Sequence, residues 1–263
     1  MPVRPRLTAF AFVLTFACLM WLAAVASPRA VRAEDFAPAQ REAIEKIVHD
    51  YLIAHPEVLQ EAMDELQKRQ AAAEAEKHKA VIKQNAETLF SSPDQVTLGN
   101  RNGDVTFVEF FDYNCGYCKR ALNDMLTLLK TDPNLKVVLK EFPVLGPGSV
   151  EAARVAVAVR MQDKTGQKYL AFHQKLLGGR NPADGERALA VAREVGVDMD
   201  RLAKDMKSPE IEKTLQQDFK LAELLGLNGT PSYVIGEEVV VGAIGLEALR
   251  EKVNTARCGK ATC

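Results

Sequence analysis

Two cysteines with two residues between them, Cys115 and Cys118, are the side chains whose type and spacing most clearly predict chemistry. The Cys115-Gly116-Tyr117-Cys118 tetrapeptide follows an apolar, strand-like run and opens a helical pattern. Unpaired N–H groups and the helix dipole favour negative charge at a helix N-terminus, so Cys115 is expected to attack as a thiolate. Cys118, one turn later, is the expected buried thiol that resolves a mixed disulfide. A structural disulfide and half of a zinc site are the alternatives.

Cys258 and Cys263 form a second cysteine pair, with four residues between them at the end of the chain. That spacing fits poorly with the close second pair of a four-cysteine zinc site. We therefore expect a redox dithiol, no metal and no cofactor. Cys258 and Cys263 are expected to form a structural disulfide in the tail, with electron transfer to the main site as the alternative. The histidines are expected to be structural or surface residues: His49, His55, His78 and His173.

The fifth cysteine, Cys18, lies in an N-terminal segment with the pattern of a secretory signal peptide. Residues 1–33 combine a positive start, an apolar run and small residues before a cleavage point after Ala33, or alternatively after Ala26. An uncleaved membrane anchor is the other interpretation. Cleavage would remove four arginines and Cys18, leaving four cysteines and a net charge of −5 instead of −1. An even cysteine count in an exported chain favours an oxidising compartment, which we predict to be the bacterial periplasm.

Composition restricts the remaining possibilities. The 263 residues are 47% hydrophobic and carry a formal net charge of −1, which excludes wholesale disorder and argues against a nucleic-acid partner. Residues 34–92 read as helical, with a break at His55-Pro56. Their apolar stripe is too narrow to be buried alone. It predicts either a helical extension folded back on the core or an oligomerisation segment, and we favour the second.

Residues 93–257 alternate between strand and helix patterns, and residues 258–263 form a tail. The order is strand, strand, helix, strand, an all-helical stretch at about 146–226, a β-hairpin and a last helix. The predicted strands are 96–98, 105–111, 135–142, 232–235 and 239–241. The predicted helices are 115–130, 149–161, 167–177, 186–195, 199–206, 209–225 and 246–257. This order predicts an α/β fold with an inserted helical domain.

The run from Val108 to Cys118, the helical insert and Gly229-Thr230-Pro231 before a hairpin resemble the DsbA family of thioredoxin-fold proteins. The resemblance implies that Pro231 is a cis proline packed against the cysteines and that the Thr230 backbone pairs with an extended substrate. It also implies that Glu109 is a buried acid that exchanges protons with the thiols. The alternatives are a turn proline and a strand-edge carboxylate. Lys140 is expected to lie at a solvated strand end, with tuning of the active site through its charge as the alternative.

Two features depart from the DsbA oxidases. Tyr117 stands where those enzymes carry a histidine, so the thiolate should be less stabilised and the disulfide a milder oxidant. Gly116-Tyr117 and Thr230 resemble the isomerase DsbC instead. The N-terminal helices resemble those of ScsC-type isomerases, whose stalk assembles three catalytic domains. The resemblance therefore implies a homo-oligomer, with a trimer favoured and a dimer as the alternative.

The sequence thus predicts a periplasmic thiol–disulfide oxidoreductase acting on cysteines of exported proteins, foremost as a disulfide isomerase or reductase. By resemblance, a membrane thiol reductase of the DsbD or ScsB type would keep it reduced. One alternative is a DsbA-type oxidase recharged by a DsbB-like enzyme. A metal-binding or chaperone module that uses the thiols without turnover is the alternative from another class.

Overall fold

The described part of the chain divides into two compact units. The computed structural model describes residues 36–163 and 165–263. The first unit ends at Gln67, and the second comprises Lys68–Cys263. The structure thus places residues 68–92 with the second unit, whereas the sequence pattern suggested a boundary after residue 92. The predicted signal peptide and Cys18 lie outside the described residues. Among the helices described, none has the length and apolar character needed to cross a membrane.

The first unit consists of helix α1 (Pro38–Ala54) and the beginning of helix α2 (Glu57–Gln84). Proline at the first position of α1 suits the start of a helix, and the Gln40 side chain accepts a hydrogen bond of 3.0 Å from the Ala37 N–H. The predicted break at His55-Pro56 is confirmed. None of the residues in α1 is buried within the structure. Seven exposed apolar side chains of α1 and of the start of α2 are here called the N-terminal seam: Ile44, Ile47, Val48, Tyr51, Leu59, Met63 and Leu66.

The second unit is built on a five-stranded mixed sheet. Its strands are β1 (Val96–Gly99), β2 (Val105–Phe111), β3 (Leu135–Glu141), β4 (Ser232–Ile235) and β5 (Glu238–Val241). Their spatial order is β1-β3-β2-β4-β5. The pair β2 and β3 is parallel, and the other pairs are antiparallel. The strand β1 pairs with β3 and not with its sequence neighbour β2, which the short turn between β1 and β2 did not indicate.

Helices cover both faces of this sheet. After α2 they are α3 (Ala86–Phe90), α4 (Gly116–Thr131), α5 (Pro147–Gln162), α6 (Gln167–Leu177), α7 (Gly185–Glu194), α8 (Met199–Asp205), α9 (Pro209–Leu224) and α10 (Leu246–Cys258). The helices α5–α9 form the predicted insert between β3 and β4. The stretch predicted to be helical after the break at His55-Pro56 is divided at Asn85, whose side chain donates a hydrogen bond of 2.8 Å to the Val81 carbonyl. The thioredoxin fold with an inserted helical domain and preceding helices is confirmed.

Strand alternation separates two hydrophobic layers. Phe107, Phe111 and Tyr233 pack on one face with residues of α4, α10 and the insert. Val108 and Phe110 pack on the other face with residues of α2, α3 and α9. Since side chains alternate along a strand, Glu109 points to the same face as Phe107 and Phe111, which is the face that α4 covers.

Lys140 lies in the layer opposite α4, and the prediction that it occupies a solvated strand end is wrong. Its side chain is fully buried and its ammonium lies 3.1 Å from Asp218 Oδ1 in α9 and 3.1 Å from the Thr88 carbonyl. Gln95 donates to the same Asp218 oxygen at 2.7 Å. Burial nevertheless raises the pKa of Asp218 to about 6, although Lys140 acts to lower it. The sequence signal is weak because the partner is distant in the chain.

We predict that Lys140→Met destabilises the second unit by about 3–5 kcal/mol near pH 8, because an unpaired carboxylate would stay buried. The loss should shrink as the pH falls, because removal of Lys140 raises the pKa of Asp218 further and a protonated Asp218 needs no cation. Urea unfolding followed by circular dichroism at pH 5 and pH 8 measures both values. The double variant Lys140→Met/Asp218→Leu should regain most of the stability. An equal loss at the two pH values would contradict the prediction.

Candidate active site

The dithiol lies at the N-terminus of α4, four residues after the end of β2. Cys115 is the N-cap of α4 and has an extended backbone, and its N–H donates to the Asp112 carbonyl at 3.0 Å. Both cysteines are free thiols. Cys115 exposes 7% of its surface and Cys118 exposes none, so Cys115 is the more accessible of the two thiols but is more enclosed than expected. Between them, Gly116 and Tyr117 face outward at the start of the helix.

The loop before β4 packs against the first cysteine. The Thr230–Pro231 peptide bond is cis, as the resemblance implies. The Cys115 thiol donates to the Thr230 carbonyl across 3.1 Å. The Pro231 carbonyl in turn accepts a bond of 2.8 Å from the Gly242 N–H, which ties the loop to the end of β5. The loop that carries Thr230 and Pro231 therefore lies beside Cys115.

Glu109 lies beneath the dithiol as a buried acid in a central strand, and the alternative of a strand-edge carboxylate is wrong. Its neighbours across the sheet are Leu139 in β3 and Tyr233 in β4. Burial, with a smaller contribution from Asp124, raises the pKa of Glu109 to about 8. Burial and the nearby Glu109 also raise the pKa of Cys118. A carboxyl that holds its proton near neutral pH thus adjoins a thiol that releases its proton reluctantly.

Tyr117 exposes 60% of its surface, and a cation covers its ring. The Arg120 guanidinium lies 4.3 Å from the ring centroid, a distance at which cation–π attraction operates. Tyr117 itself carries no positive charge. The structure shows that Arg120, three residues further along α4, places one against its ring.

Sequence reasoning missed the anchoring role of the residues between β2 and Cys115. The Asn114 side chain pairs with the backbone of Ala183 in both directions, through bonds of 2.8 Å and 2.7 Å, and also donates to the Ser149 hydroxyl at 2.9 Å. Asp112 is buried and accepts hydrogen bonds from Ser149 and from the loop after β3. Their position directly before the cysteine motif was the available signal, since polar side chains there must find partners once buried.

Tyr113 is held by a buried polar cluster of the insert that the sequence also did not reveal. Its hydroxyl lies 3.3 Å from the Tyr169 hydroxyl and 3.4 Å from His173 Nδ1. Tyr169 donates to Glu141 at 2.7 Å, and burial raises the pKa of Glu141 well above its usual value. Burial lowers the pKa of His173 to about 3, so its ring stays neutral. The expectation that His173 is a structural residue in a helix of the insert agrees with this location.

The second cysteine pair lies far along the chain from the dithiol. Cys258 and Cys263 are joined by a disulfide at the end of α10. Within residues 36–163 and 165–263, no three side chains of the histidine, cysteine, aspartate and glutamate types converge in the way a metal ion requires.

A dithiol at the first turn of a helix, packed against a cis-proline loop on a thioredoxin fold, defines the class of thiol–disulfide exchange proteins. The model of the DsbA-like thioredoxin domain matches residues 106–254. The chain belongs to that family. A second model, the N-terminal domain of the copper resistance protein ScsC, matches residues 40–73 and so falls on α1 and α2.

Solved structures agree with this assignment. A thioredoxin-like oxidoreductase from Silicibacter pomeroyi DSS-3 is 45% identical, with 65% of this chain and 96% of that chain covered and a TM-score of 0.62. The thiol-disulfide exchange protein alpha-DsbA2 from Wolbachia pipientis is 33% identical, with coverages of 69% and 97% and a TM-score of 0.64. BcfH from Salmonella enterica Typhimurium is 26% identical, with coverages of 86% and 99% and a TM-score of 0.71.

The first curated relatives at the sequence level are longer proteins. The Na(+)/H(+) antiporter NhaA 1 from Salinispora arenicola is 28% identical over 165 residues, which are 61% of this chain and 24% of the antiporter. The chain thus spans about a quarter of the length of the first curated relatives it matches.

We predict that Glu109→Gln stabilises the protein at neutral pH. Because the pKa of Glu109 rises on folding, the native state binds more protons than the unfolded state from about pH 4.5 to pH 8. Glu109 therefore makes stability fall as pH rises through that window, by at most about 1.4 kcal/mol per pH unit. Guanidinium unfolding from pH 4 to pH 9 should show this slope for the wild type and a flatter profile for the variant. Parallel profiles would refute the assignment.

Proposed function

We propose that the chain is a periplasmic thiol–disulfide oxidoreductase that acts on exported proteins, foremost as a disulfide isomerase or reductase. The observation that carries the proposal is the packing of the Cys115 thiol at 3.1 Å from the Thr230 carbonyl, with Cys118 sealed behind it. A substrate strand that pairs with the Thr230 backbone would bring its own disulfide to Cys115. In this proposal Cys115 is the nucleophile, Cys118 the resolving thiol, and Gly116 and Tyr117 shape the rim.

The exchange proceeds by two displacements. The Cys115 thiolate attacks one sulfur of a substrate disulfide, forming a mixed disulfide and expelling the other substrate sulfur as a thiolate, which takes up a proton. In isomerisation, a second substrate thiolate then attacks the mixed disulfide and regenerates Cys115, with no net oxidation. In reduction, Cys118 gives up its proton, with the ionised fraction of Glu109 as the proposed acceptor. It then attacks Cys115 in the mixed disulfide and releases the second substrate sulfur as a thiolate, which takes up a proton. The Cys115–Cys118 disulfide formed in this way must then receive two electrons.

The environment of Cys118 supports isomerisation over rapid resolution. Since burial and Glu109 raise the pKa of Cys118, only a small fraction of this thiol is ionised at neutral pH. A slow intramolecular attack prolongs the life of the mixed disulfide, which gives substrate thiols time to compete. A membrane thiol reductase of the DsbD or ScsB type is the partner we propose for keeping the dithiol reduced.

Oxidation is the second candidate, and Arg120 is the observation that favours it. A positive charge on the exposed Tyr117 ring adds a cation near the entrance of the site, where DsbA oxidases carry a histidine. Such a charge would stabilise a thiolate and make the disulfide more oxidising. A reduction potential of the Cys115–Cys118 disulfide of about −120 mV, the value typical of DsbA, would favour this candidate and a DsbB-like partner.

We predict that Cys118→Ala refolds scrambled ribonuclease at a rate within a few fold of the wild type, whereas Cys115→Ala has no effect above background. The reason is that isomerisation needs only the attacking thiol, and a missing resolving thiol lengthens the mixed-disulfide stage. Mass spectrometry should detect substrate bound to Cys115 in the Cys118→Ala variant. The double variant Cys258→Ala/Cys263→Ala serves as the control and should match the wild type. Full activity of Cys115→Ala would end the proposal.

The N-terminal seam is the surface we propose for self-association, with a trimer favoured over a dimer. Its side chains are exposed within the first unit, and the ScsC N-terminal model covers much of this segment. Apolar residues repeated along a helix with so much exposed area are typical of a surface covered by another helix. Several dithiols in one assembly would act on a single misfolded substrate at high effective concentration.

We predict that Leu59→Glu/Met63→Glu converts the oligomer to a monomer, because it buries charge in the proposed contact. Light scattering of the mature protein measures the change, with a mass about three times that of the chain expected for the wild type and the chain mass for the variant. Glu61→Ala, on the same helix but outside the seam, is the matched control. The reaction of Cys115 with a small disulfide should be equal in all three proteins. A monomeric wild type would contradict the prediction.

A further inference from the structure

We propose that Asp112 is a positioning residue that holds the Cys115 loop and the apolar Val144–Leu145 segment together as one substrate-docking unit. This inference rests on the proposed function, because it concerns how a substrate is held beside the attacking thiol. The Asp112 carboxylate would act through the two loops that it holds, and not through a hydrogen bond of its own to either cysteine.

The two oxygens of Asp112 have separate partners. Oδ1 accepts from the Asn114 N–H and from the Ser149 hydroxyl, both at 2.8 Å. Oδ2 accepts from the backbone N–H groups of Val144 and Leu145, at 2.8 Å and 2.9 Å. One buried carboxylate therefore joins the residue before Cys115, the first turn of α5 and the loop that follows β3. Hydrogen bonds to an ionised acceptor are stronger than those between neutral groups.

The segment held by Oδ2 presents apolar side chains to solvent. Val144 exposes 40% of its surface and Leu145 exposes 55%, and Val150 in the first turn of α5 exposes 38%. The backbone carbonyl of Asp112 also accepts a hydrogen bond from the Cys115 N–H. Asp112 therefore connects Cys115 directly to the segment that carries the exposed Val144 and Leu145 side chains. A polypeptide joined to Cys115 through its cysteine would place a neighbouring side chain over Val144 and Leu145. The patch is thus continuous with the site of the proposed reaction.

Only a carboxylate satisfies all four donors. It accepts hydrogen bonds on both oxygens and offers no donor of its own, whereas an amide at this position would turn one oxygen into an NH₂ group. In Asp112→Asn the NH₂ group should face Ser149, because a hydroxyl can reverse its hydrogen bond and a backbone N–H cannot. That variant keeps the bonds to Val144 and Leu145 but leaves the Asn114 N–H without its acceptor. In Asp112→Ala both anchors are lost.

The test compares two disulfide-linked peptides, one with leucine and one with glycine beside the reacting cysteine. For the leucine peptide, Asp112→Ala should raise KM about 10-fold and also lower kcat, since it releases both loops. Asp112→Asn should lower kcat and leave KM near the wild-type value. The glycine peptide should show the change in kcat but little change in KM. In a Leu145→Ala background, Asp112→Ala should have a much smaller effect on KM, because the contact it positions is already gone.

Asp218→Asn is the matched control, since it alters an equally buried carboxylate on the opposite face of the sheet. This variant should lower the free energy of unfolding, but it should not change KM for the leucine peptide relative to KM for the glycine peptide. Should Asp112→Ala fail to fold, the loss of kcat at unchanged KM in Asp112→Asn decides the matter. Equal effects on both peptides, or additive effects of Asp112→Ala and Leu145→Ala on KM, would overturn the positioning role. A wild type that exchanges with neither peptide would instead overturn the proposed function.

Discussion

The burial of Cys118 against Glu109 is the constraint on which the rest of the site depends. The first turn of α4 must keep one thiol just beneath the surface while it places the other fully within the layer between helix and sheet. Desolvation then penalises every negative charge placed there, which is why the pKa of Glu109 rises to about 8 and the pKa of Cys118 rises with it. The same packing that stabilises the helix on the sheet thus raises the proton affinity of Cys118 and Glu109.

That constraint makes the loop before α4 as important as the helix itself. Cys115 can stay at the boundary between core and solvent only if the chain that delivers it is fixed. Asp112, Tyr113 and Asn114 achieve this with side-chain hydrogen bonds that reach the insert and the loop after β3. The helical insert therefore serves as a rigid support for Cys115, the proposed nucleophile, as well as a cover for the sheet.

Local patterns in the sequence predicted much of this structure. Alternating and helical periodicity identified all five strands and the helices of the insert, and the cysteine motif with Thr230-Pro231 located the centre of the site. Periodicity does not encode distant partners, so the pairing of β1 with β3 and the buried pair of Lys140 with Asp218 were missed. A lysine in a strand is predicted to be solvated when its partner is not known, and the partner of Lys140 is 78 residues away in the chain.

The proposed slow resolution by Cys118 and the proposed association through the N-terminal seam make complementary demands. A long-lived mixed disulfide leads to isomerisation only when another thiol arrives before Cys118 attacks. When no other thiol arrives, the substrate stays covalently bound and the protein is blocked. Neighbouring dithiols in an assembly would raise the local concentration of thiols around a bound substrate without any change in the chemistry at Cys115. A site whose resolving thiol is held protonated by burial is therefore better suited to an assembly than to an isolated domain. Loss of the seam should accordingly impair isomerisation of large substrates more than exchange with small disulfides.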